Sequence, residues 1–301
     1  MLTIEPFERL VQKMDAQNRL LRVWPLTGGV SAQVTAFEMA HPDGQAQKMI
    51  VRRHGEVDRK QNPQIATDEF KLLQHLKSAG LAVPIPYYLD TSCEIFPIPY
   101  LVIEYVEGAT DFAPENLADY LRQYATHLAQ IHGLPDADFD FLPRQSDIYA
   151  NKFKQRPAQV DDSLSEGQIR DVLEAIWPLT QHNPSVLLHG DFWPGNLLWN
   201  GGKLIAIIDW EDARTGDPLS ELANSRLEIL WAFGVEAMES FTQLYQSLTD
   251  LDYANLPYWD LCAALRPAFK IAEWAGDEVA EKRMRERHAW FIAQVFQKLS
   301  K

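Results

Sequence analysis

Residues 186–218, VLLHGDFWPGNLLWNGGKLIAIIDWEDARTGDP, constrain this chain more than any other stretch. Two apolar runs, LLW and LIAIID, flank Asn200-Gly201-Gly202, and Asn-Gly readily adopts the positive φ of a tight hairpin. The second run stays apolar until Asp209, so that carboxylate is expected where a buried strand leaves the core. Ahead of the hairpin stands His189-Gly190-Asp191, with Asn196 five positions after the aspartate. The hairpin is therefore expected to bring Asp191 and Asn196, from the loop before it, and Asp209, from its end, into one small region.

The chain before this stretch reads as a small sheet. LLRVWPL (20–26), VTAFEMA (34–40) and KMIVRRH (48–54) have strand character, and His41-Pro42-Asp43-Gly44 supplies a turn between the last two. In TDEFKLLQHLKSAG, Phe70, Leu73 and Leu76 recur at helical spacing, with Gly80 as C-cap. Pro84, Pro86, Pro97 and Pro99 break up the next stretch, and YLVIEYV (100–106) is a further apolar strand. Beyond Glu107-Gly108 the pattern turns helical. Leu117, Leu121, Tyr124, Leu128 and Ile131 form one stripe, closed by Gly133 and Pro135. Helical patterning resumes at Asp217, an N-cap with Pro218 at N1. The expected class is α+β, a sheet-rich part at 1–106 followed by a mainly helical part at 107–301.

Two carboxylates and an amide in this order suit phosphoryl transfer. One carboxylate accepts the proton of an attacking hydroxyl. An amide oxygen and a second carboxylate hold magnesium against nucleotide phosphates, because hard oxygens suit that ion. Protein kinases place an Asn five residues after the catalytic Asp and open a later DFG with the metal Asp. Here those positions are Asp191, Asn196 and Asp209, with Trp210-Glu211 replacing Phe and Gly. On HGDxxxxN and IDWE, at this spacing, the chain resembles the aminoglycoside phosphotransferase and choline kinase-like family, relatives of the protein kinases. The resemblance covers most of the chain, the final helical third only in general character.

The resemblance implies a protein-kinase-like two-lobed fold: a small antiparallel β-sheet N-lobe, a mainly helical C-lobe, and ATP or GTP held between them. It implies Asp191 as catalytic base, with Asn196 and Asp209 holding Mg2+. Thr27-Gly28-Gly29-Val30-Ser31 would cover the phosphates, Gly28, Gly29 and Ser31 letting backbone N–H groups approach. The third strand offers Arg52 or Arg53 to the α/β-phosphates. Alternation sends them to opposite faces without saying which is inward, and the family pattern favours Arg52. Glu69 is the candidate partner of that arginine, and Glu104 to Val106 the hinge whose backbone bonds adenine. His189 and Asp217 are implied supports of the catalytic loop. Glu221 stands where relatives usually carry Asp.

Bulk composition narrows the partners. Against 42 Asp and Glu stand 28 Lys and Arg, a formal charge of −14. Such a surface repels phosphate backbones and anionic lipids, so neither nucleic acid nor membrane is an expected partner. It suits a small hydroxyl-bearing acceptor that is cationic or amino-bearing. No apolar run approaches the roughly 20 residues of a membrane span. MLTIEPFERLVQKM lacks the basic start and apolar stretch of a signal peptide. Cys93 and Cys262, alone and far apart, form no disulfide framework, and a cytoplasmic location is expected. A protein Ser/Thr kinase is disfavoured, since only Trp210 to Gly216 separate Asp209 from the next helix and no APE motif closes a peptide platform. A catalytically inactive nucleotide-binding relative would usually have lost the base or a metal residue, and all three are present here.

Overall fold

The computed structural model describes residues 3–26 and 32–300. It divides into two compact units, Met1–Gly108 with Ile205–Glu211, and Ala109–Leu204 with Asp212–Lys301. A single cut in the sequence cannot express this division, because the chain re-enters the first unit at Ile205.

The first unit opens with helix α1 (Glu5–Met14), then strands β1 (Arg19–Pro25), β2 (Ala32–Ala40) and β3 (Ala46–His54). Helices α2 (Glu56–Gln61) and α3 (Ile65–Ser78) precede β4 (Pro86–Asp90) and β5 (Tyr100–Glu104). The strands form one antiparallel sheet in the order β1-β2-β3-β5-β4. The turn expected at His41–Gly44 joins β2 to β3: Gly44 adopts φ +85°, and the His41 N–H donates to the Gln45 carbonyl at 2.8 Å. Pairing then runs without a slip from Ala40–Ala46 to Ala32–His54.

One face of this sheet packs on α1. Phe7, Leu10 and Val11 meet Phe37 and Met39 of β2, Met49 and Val51 of β3, and Phe96 and Tyr100. Burying such side chains is worth about 1.5–3 kcal/mol each, so this cluster fixes which side of β3 is inward. Alternation puts Arg53 on the face of Met49 and Val51, where its guanidinium lies 4.6 Å from the centroid of the Phe96 ring. Arg52 goes to the opposite face, toward Glu69 of α3.

Two details differ from the sequence reading. The proline-broken stretch contains β4, which the sheet tolerates because it is an edge strand and Pro86 is its first residue, where no ladder bond is lost. The strand expected at 100–106 ends at Glu104.

The second unit is mainly helical: α4 (Leu117–His132), α5 (Gln145–Lys154), α6 (Glu166–Ile176), α7 (Pro218–Phe233), α8 (Val235–Leu248), α9 (Leu256–Ala264), α10 (Ile271–Ala275) and α11 (Glu278–Leu299). Leu121, Tyr124, Leu128 and Ile131 of the α4 stripe are buried, and α4 packs on α8. Helix α7 is apolar around most of its circumference and packs against α8, α9 and α11. Strand β6 (Val186–Leu188) pairs antiparallel with β9 (Arg214–Gly216). The hairpin strands β7 (Leu197–Asn200) and β8 (Lys203–Ile207) flank Gly201 and Gly202, both at positive φ as the Asn-Gly signal requires. No helix among the described residues is long and apolar enough to cross a membrane.

Candidate active site

In the first unit the side chains with chemistry gather around Arg52. Its guanidinium is nearly buried and donates from Nε to Glu69 Oε2 at 3.1 Å. Nη2 donates to Asp209 Oδ1 at 2.5 Å and to Glu211 Oε2 at 2.6 Å. Burial opposes the charge on Arg52, but three carboxylates outweigh it and hold the group protonated. Burial would likewise push the Glu69 carboxyl up; Arg52 and His54, whose Nε2 lies 2.6 Å from Glu69 Oε2, hold it at about 2. Glu69 therefore carries a full charge at neutral pH and fixes the arginine.

Asp209 lies two residues past the end of β8 with φ +68°, a left-handed conformation that Asp tolerates better than most residues. Its neighbour Trp210 is buried and donates from Nε1 to the Ile207 carbonyl at 3.0 Å, while the Ile207 N–H donates to the Ala82 carbonyl at 2.7 Å. The buried tryptophan anchors the turn and presents the aspartate. Glu104 binds back on the sheet, its N–H donating to the Ile85 carbonyl and its Oε2 accepting from the Ile85 N–H. The Val106 carbonyl accepts from the Gly108 N–H at 3.1 Å. Gly28, Gly29 and Ser31 lie outside the described residues.

In the second unit the loop 189–196 is pinned through backbone groups along its length. The N–H groups of His189 and Gly190 donate to the two carboxylate oxygens of Glu221 at 2.9 and 2.5 Å. Glu221 is itself buried and takes a third contact from His132 Nε2 at 3.1 Å, and His132 Nδ1 lies 2.6 Å from the Tyr245 hydroxyl. Burial raises the Glu221 carboxyl, yet His132 and His189 outweigh this and lower it. The Gly190 carbonyl accepts from Arg214 at 2.9 Å, and the Phe192 carbonyl from Tyr124 and Ser225, both at 2.9 Å. His189 is fully buried, its Nδ1 accepting from the Asp191 N–H at 3.2 Å.

On this loop Asp191 and Asn196 meet. Asn196 Nδ2 donates to the Asp191 carbonyl at 2.9 Å and to Asp191 Oδ2 at 3.2 Å, which leaves its Oδ1 as the atom for another partner. Asp191 Oδ1 accepts from Arg266 Nη2 at 2.7 Å, and its side chain is 31% exposed, so the carboxylate is ordered yet reachable. Asp217 is placed differently: it caps α7 through the Leu219 N–H at 3.0 Å and accepts from Trp259 Nε1 at 3.0 Å.

Within the first unit, then, Arg52, Glu69 and Asp209 come together; within the second, His189, Asp191 and Asn196. Sequence reading assigned no contact to Glu211, Glu221, Arg214 or Arg266. Glu221 adjoins the GDP triplet and could have been sought there. Arg266 stands 75 positions from Asp191, with no local signal to mark it.

The donor set suits a divalent hard cation. Glu69, Asp209 and Glu211 give more negative charge than Arg52 balances, and the Asp209 side chain is 33% exposed. In the second unit, taken by itself, Asn196 has an amide oxygen of the hard type that also suits such a cation. Among the described residues no three His, Cys, Asp or Glu side chains converge on one metal position. Magnesium asks for less, taking one or two protein ligands and completing its shell with water and phosphate.

A small five-stranded antiparallel sheet unit and a helical unit carrying an Asp-to-Asn loop define a kinase-like α+β fold. The chain belongs to the phosphotransferase enzyme family (APH), whose model matches residues 23–287. Among curated proteins it is 27% identical over 240 residues to acyl-CoA dehydrogenase family member 11 of Rattus norvegicus, covering 68% of this chain and 30% of that protein. It is also 27% identical over 215 residues to the homoserine kinase of Rhizobium johnstonii, covering 65% of each. The chain thus spans under a third of the first relative's length. Among solved structures, the GDP complex of aminoglycoside 2'-phosphotransferase-IIIa aligns with TM-score 0.69 at 15% identity, over 97% of this chain and 99% of that one. Macrolide 2'-phosphotransferase MphH of Brachybacterium faecium aligns with TM-score 0.64 at 16% identity, over 94% and 97%. At these identities the structural likenesses speak for the fold.

Proposed function

We propose that this protein transfers the γ-phosphate of ATP or GTP to the hydroxyl of a small molecule, in the cytoplasm and without nucleic acid or membrane as partner. The observation that carries the reading is the Asp191–Asn196 pair, held on a loop tied down by Glu221, Arg214, Tyr124 and Ser225, in a chain of the phosphotransferase family. Asp191 serves as the base. It orients the acceptor hydroxyl and takes its proton as the oxygen bonds to the γ-phosphorus, the bond to the β–γ bridging oxygen breaks, and the nucleoside diphosphate leaves. Asn196 and Asp209 hold magnesium, which when bound neutralises phosphate charge. Arg52 contacts the α/β-phosphates, and Glu69 fixes its direction. Gly28, Gly29 and Ser31 cover the phosphates, and the backbone of Glu104 to Val106 takes the adenine or guanine ring. His189, Asp217 and Glu221 keep the loop in place. Positioning and charge neutralisation supply most of the rate.

Nucleotide binding is checked by melting the protein with magnesium plus ATP, then GTP, beside an Asp209→Asn variant. Asparagine keeps the tolerance for positive φ but removes the anionic ligand. A ligand specific for the folded state adds about 2.7 kcal/mol of stability at a hundredfold excess over its Kd. A magnesium-dependent rise in Tm is expected, lost in the variant. An unchanged Tm with either nucleotide would sink the proposal. The named homoserine kinase relatives make homoserine one acceptor to try.

A further inference from the structure

The second unit contains a cavity of about 160 Å3 that adjoins Asp191 through two of its lining residues. Gly190, the preceding residue, forms part of the wall, and so does Arg266, whose guanidinium is bonded to the Asp191 carboxylate. The rest of the polar wall is strongly weighted toward positive charge. Lys152 of α5 and Arg214 of β9 both line the cavity.

Among the described residues neither cation has an ion-pair partner. Arg214 makes one hydrogen bond, to the Gly190 carbonyl, and the Lys152 ammonium lies 5.6 Å from the centroid of the Tyr149 ring. Among the described residues no carboxylate stands within ion-pair distance of either. The one carboxylate in the wall, Glu221, has its oxygens filled by two backbone N–H groups and His132. Burial pushes the Lys152 ammonium down and the neighbouring cations Arg170 and Arg266 add to this, with Cys262 and Glu166 offsetting it only in part. Nearby, Asn224 also lines the cavity, and its Oδ1 is buried without a hydrogen-bond partner. Two cations without an ion-pair partner and one unsatisfied acceptor ask for a ligand with an anionic end and a hydrogen-bond donor. The volume adds a limit, since drug-sized ligands occupy pockets of roughly 300 Å3 and more.

We propose that this cavity is the acceptor subsite and that it selects a small hydroxy acid, Lys152 and Arg214 taking the carboxylate and the hydroxyl lying along Gly190 toward Asp191. This rests on the phosphotransferase reading. The local charge is opposite to that of the chain as a whole, so the net −14 does not predict the acceptor. Transfer joins the acid's hydroxyl oxygen to the γ-phosphorus, breaks the β–γ bridging bond, and passes the hydroxyl proton to Asp191. The product is a phosphorylated hydroxy acid and a nucleoside diphosphate. An amino alcohol would set its ammonium against Lys152 and Arg214, and a neutral amide would leave both without an anion.

The test uses lactate, glycerate and 3-hydroxybutyrate, with lactamide and ethanolamine as matched controls. Tm shifts are read without nucleotide, and nucleoside diphosphate release with it. The acids are expected to raise Tm and to be turned over, the controls not. Lys152→Met and Arg214→Met should each raise KM for the acids about tenfold or more, with kcat changed less, and Lys152→Arg should restore most of it. Asp191-dependent turnover of ethanolamine or lactamide but not of the acids would overturn the inference and leave the phosphotransferase reading standing. So would an acid KM indifferent to both Met variants, or acids that neither bind nor turn over. Acid binding lost in the variants, with no diphosphate formed under any nucleotide, would keep the cavity as an acid site and remove the phosphotransferase reading instead.

Discussion

Gly190 admits no side chain. It adopts φ +90°, and a Cβ placed on it would lie 2.0 Å from the Asp212 carbonyl oxygen. That contact is to backbone, so relief requires moving the loop that carries Asp191. Gly190→Ala is expected to destabilise the protein by about 2 kcal/mol or more, read as a lower urea midpoint at unchanged slope. A different residue sets the pH response of this neighbourhood. Burial pushes the Glu228 carboxyl up to about 7 from an ordinary 4.5; Arg266 partly offsets this and Asp191 adds to it. Between those values the folded state keeps a proton that the unfolded state has lost. Stability from this group is full below about 4.5 and falls as pH rises through about 7, by at most about 3 kcal/mol. Glu228→Gln should flatten that slope, so its Tm gains on the parent protein between pH 5 and pH 8. Equal slopes in the two proteins would show that Glu228 ionises normally.

At the scale of elements, α7 shows how local signals and tertiary contacts divide the work. Asp217 and Pro218 mark its start in the sequence, and the structure has Asp217 capping it. The second oxygen of Asp217 takes the Trp259 indole N–H from α9, a contact no local pattern announces. Asp217→Ala therefore loses a cap and leaves a nearly buried donor unpaired, at an expected cost of about 2 kcal/mol, more than a cap alone. A drop under about 0.5 kcal/mol in chemical denaturation would mean water replaces both bonds. The same division runs through the fold. β1 to β3, α3 and α4 were legible because alternation or helical spacing recurs over seven or more residues in each. β4 was hidden by its flanking prolines, and β9, three residues long, is too short for any period to register. Which of Arg52 and Arg53 shares the face of Met49 and Val51 became visible only with α1 packed on that face. Asp191, Asn196 and Asp209 stood out because motif spacing is a sequence property. Arg266, Arg214 and Glu221 reach the loop of Asp191 from positions further along the chain, and only packing within the second unit reveals them.

For the whole molecule, the family match places this protein in the phosphotransferase enzyme family, whereas the acceptor proposed for it rests on local charge. The global balance of acidic over basic residues describes the surface. Lys152, Arg214 and Arg266 describe one cavity, and there the sign is reversed. The first unit shows a related economy: Arg52 is held by Glu69, Asp209 and Glu211, so the cation proposed for phosphate is oriented by carboxylates of its own unit. The central claim is that Asp191 takes the proton of an attacking hydroxyl. It is tested most directly by following transfer of γ-phosphate from labelled ATP and GTP to a panel of hydroxyl-bearing acceptors, with the unmodified protein and an Asp191→Ala variant. Nucleotide binding is measured in parallel by the magnesium-dependent Tm shift. The account predicts that the variant keeps its Tm shift and loses transfer by about a thousandfold or more. Transfer at an undiminished rate in Asp191→Ala would contradict it.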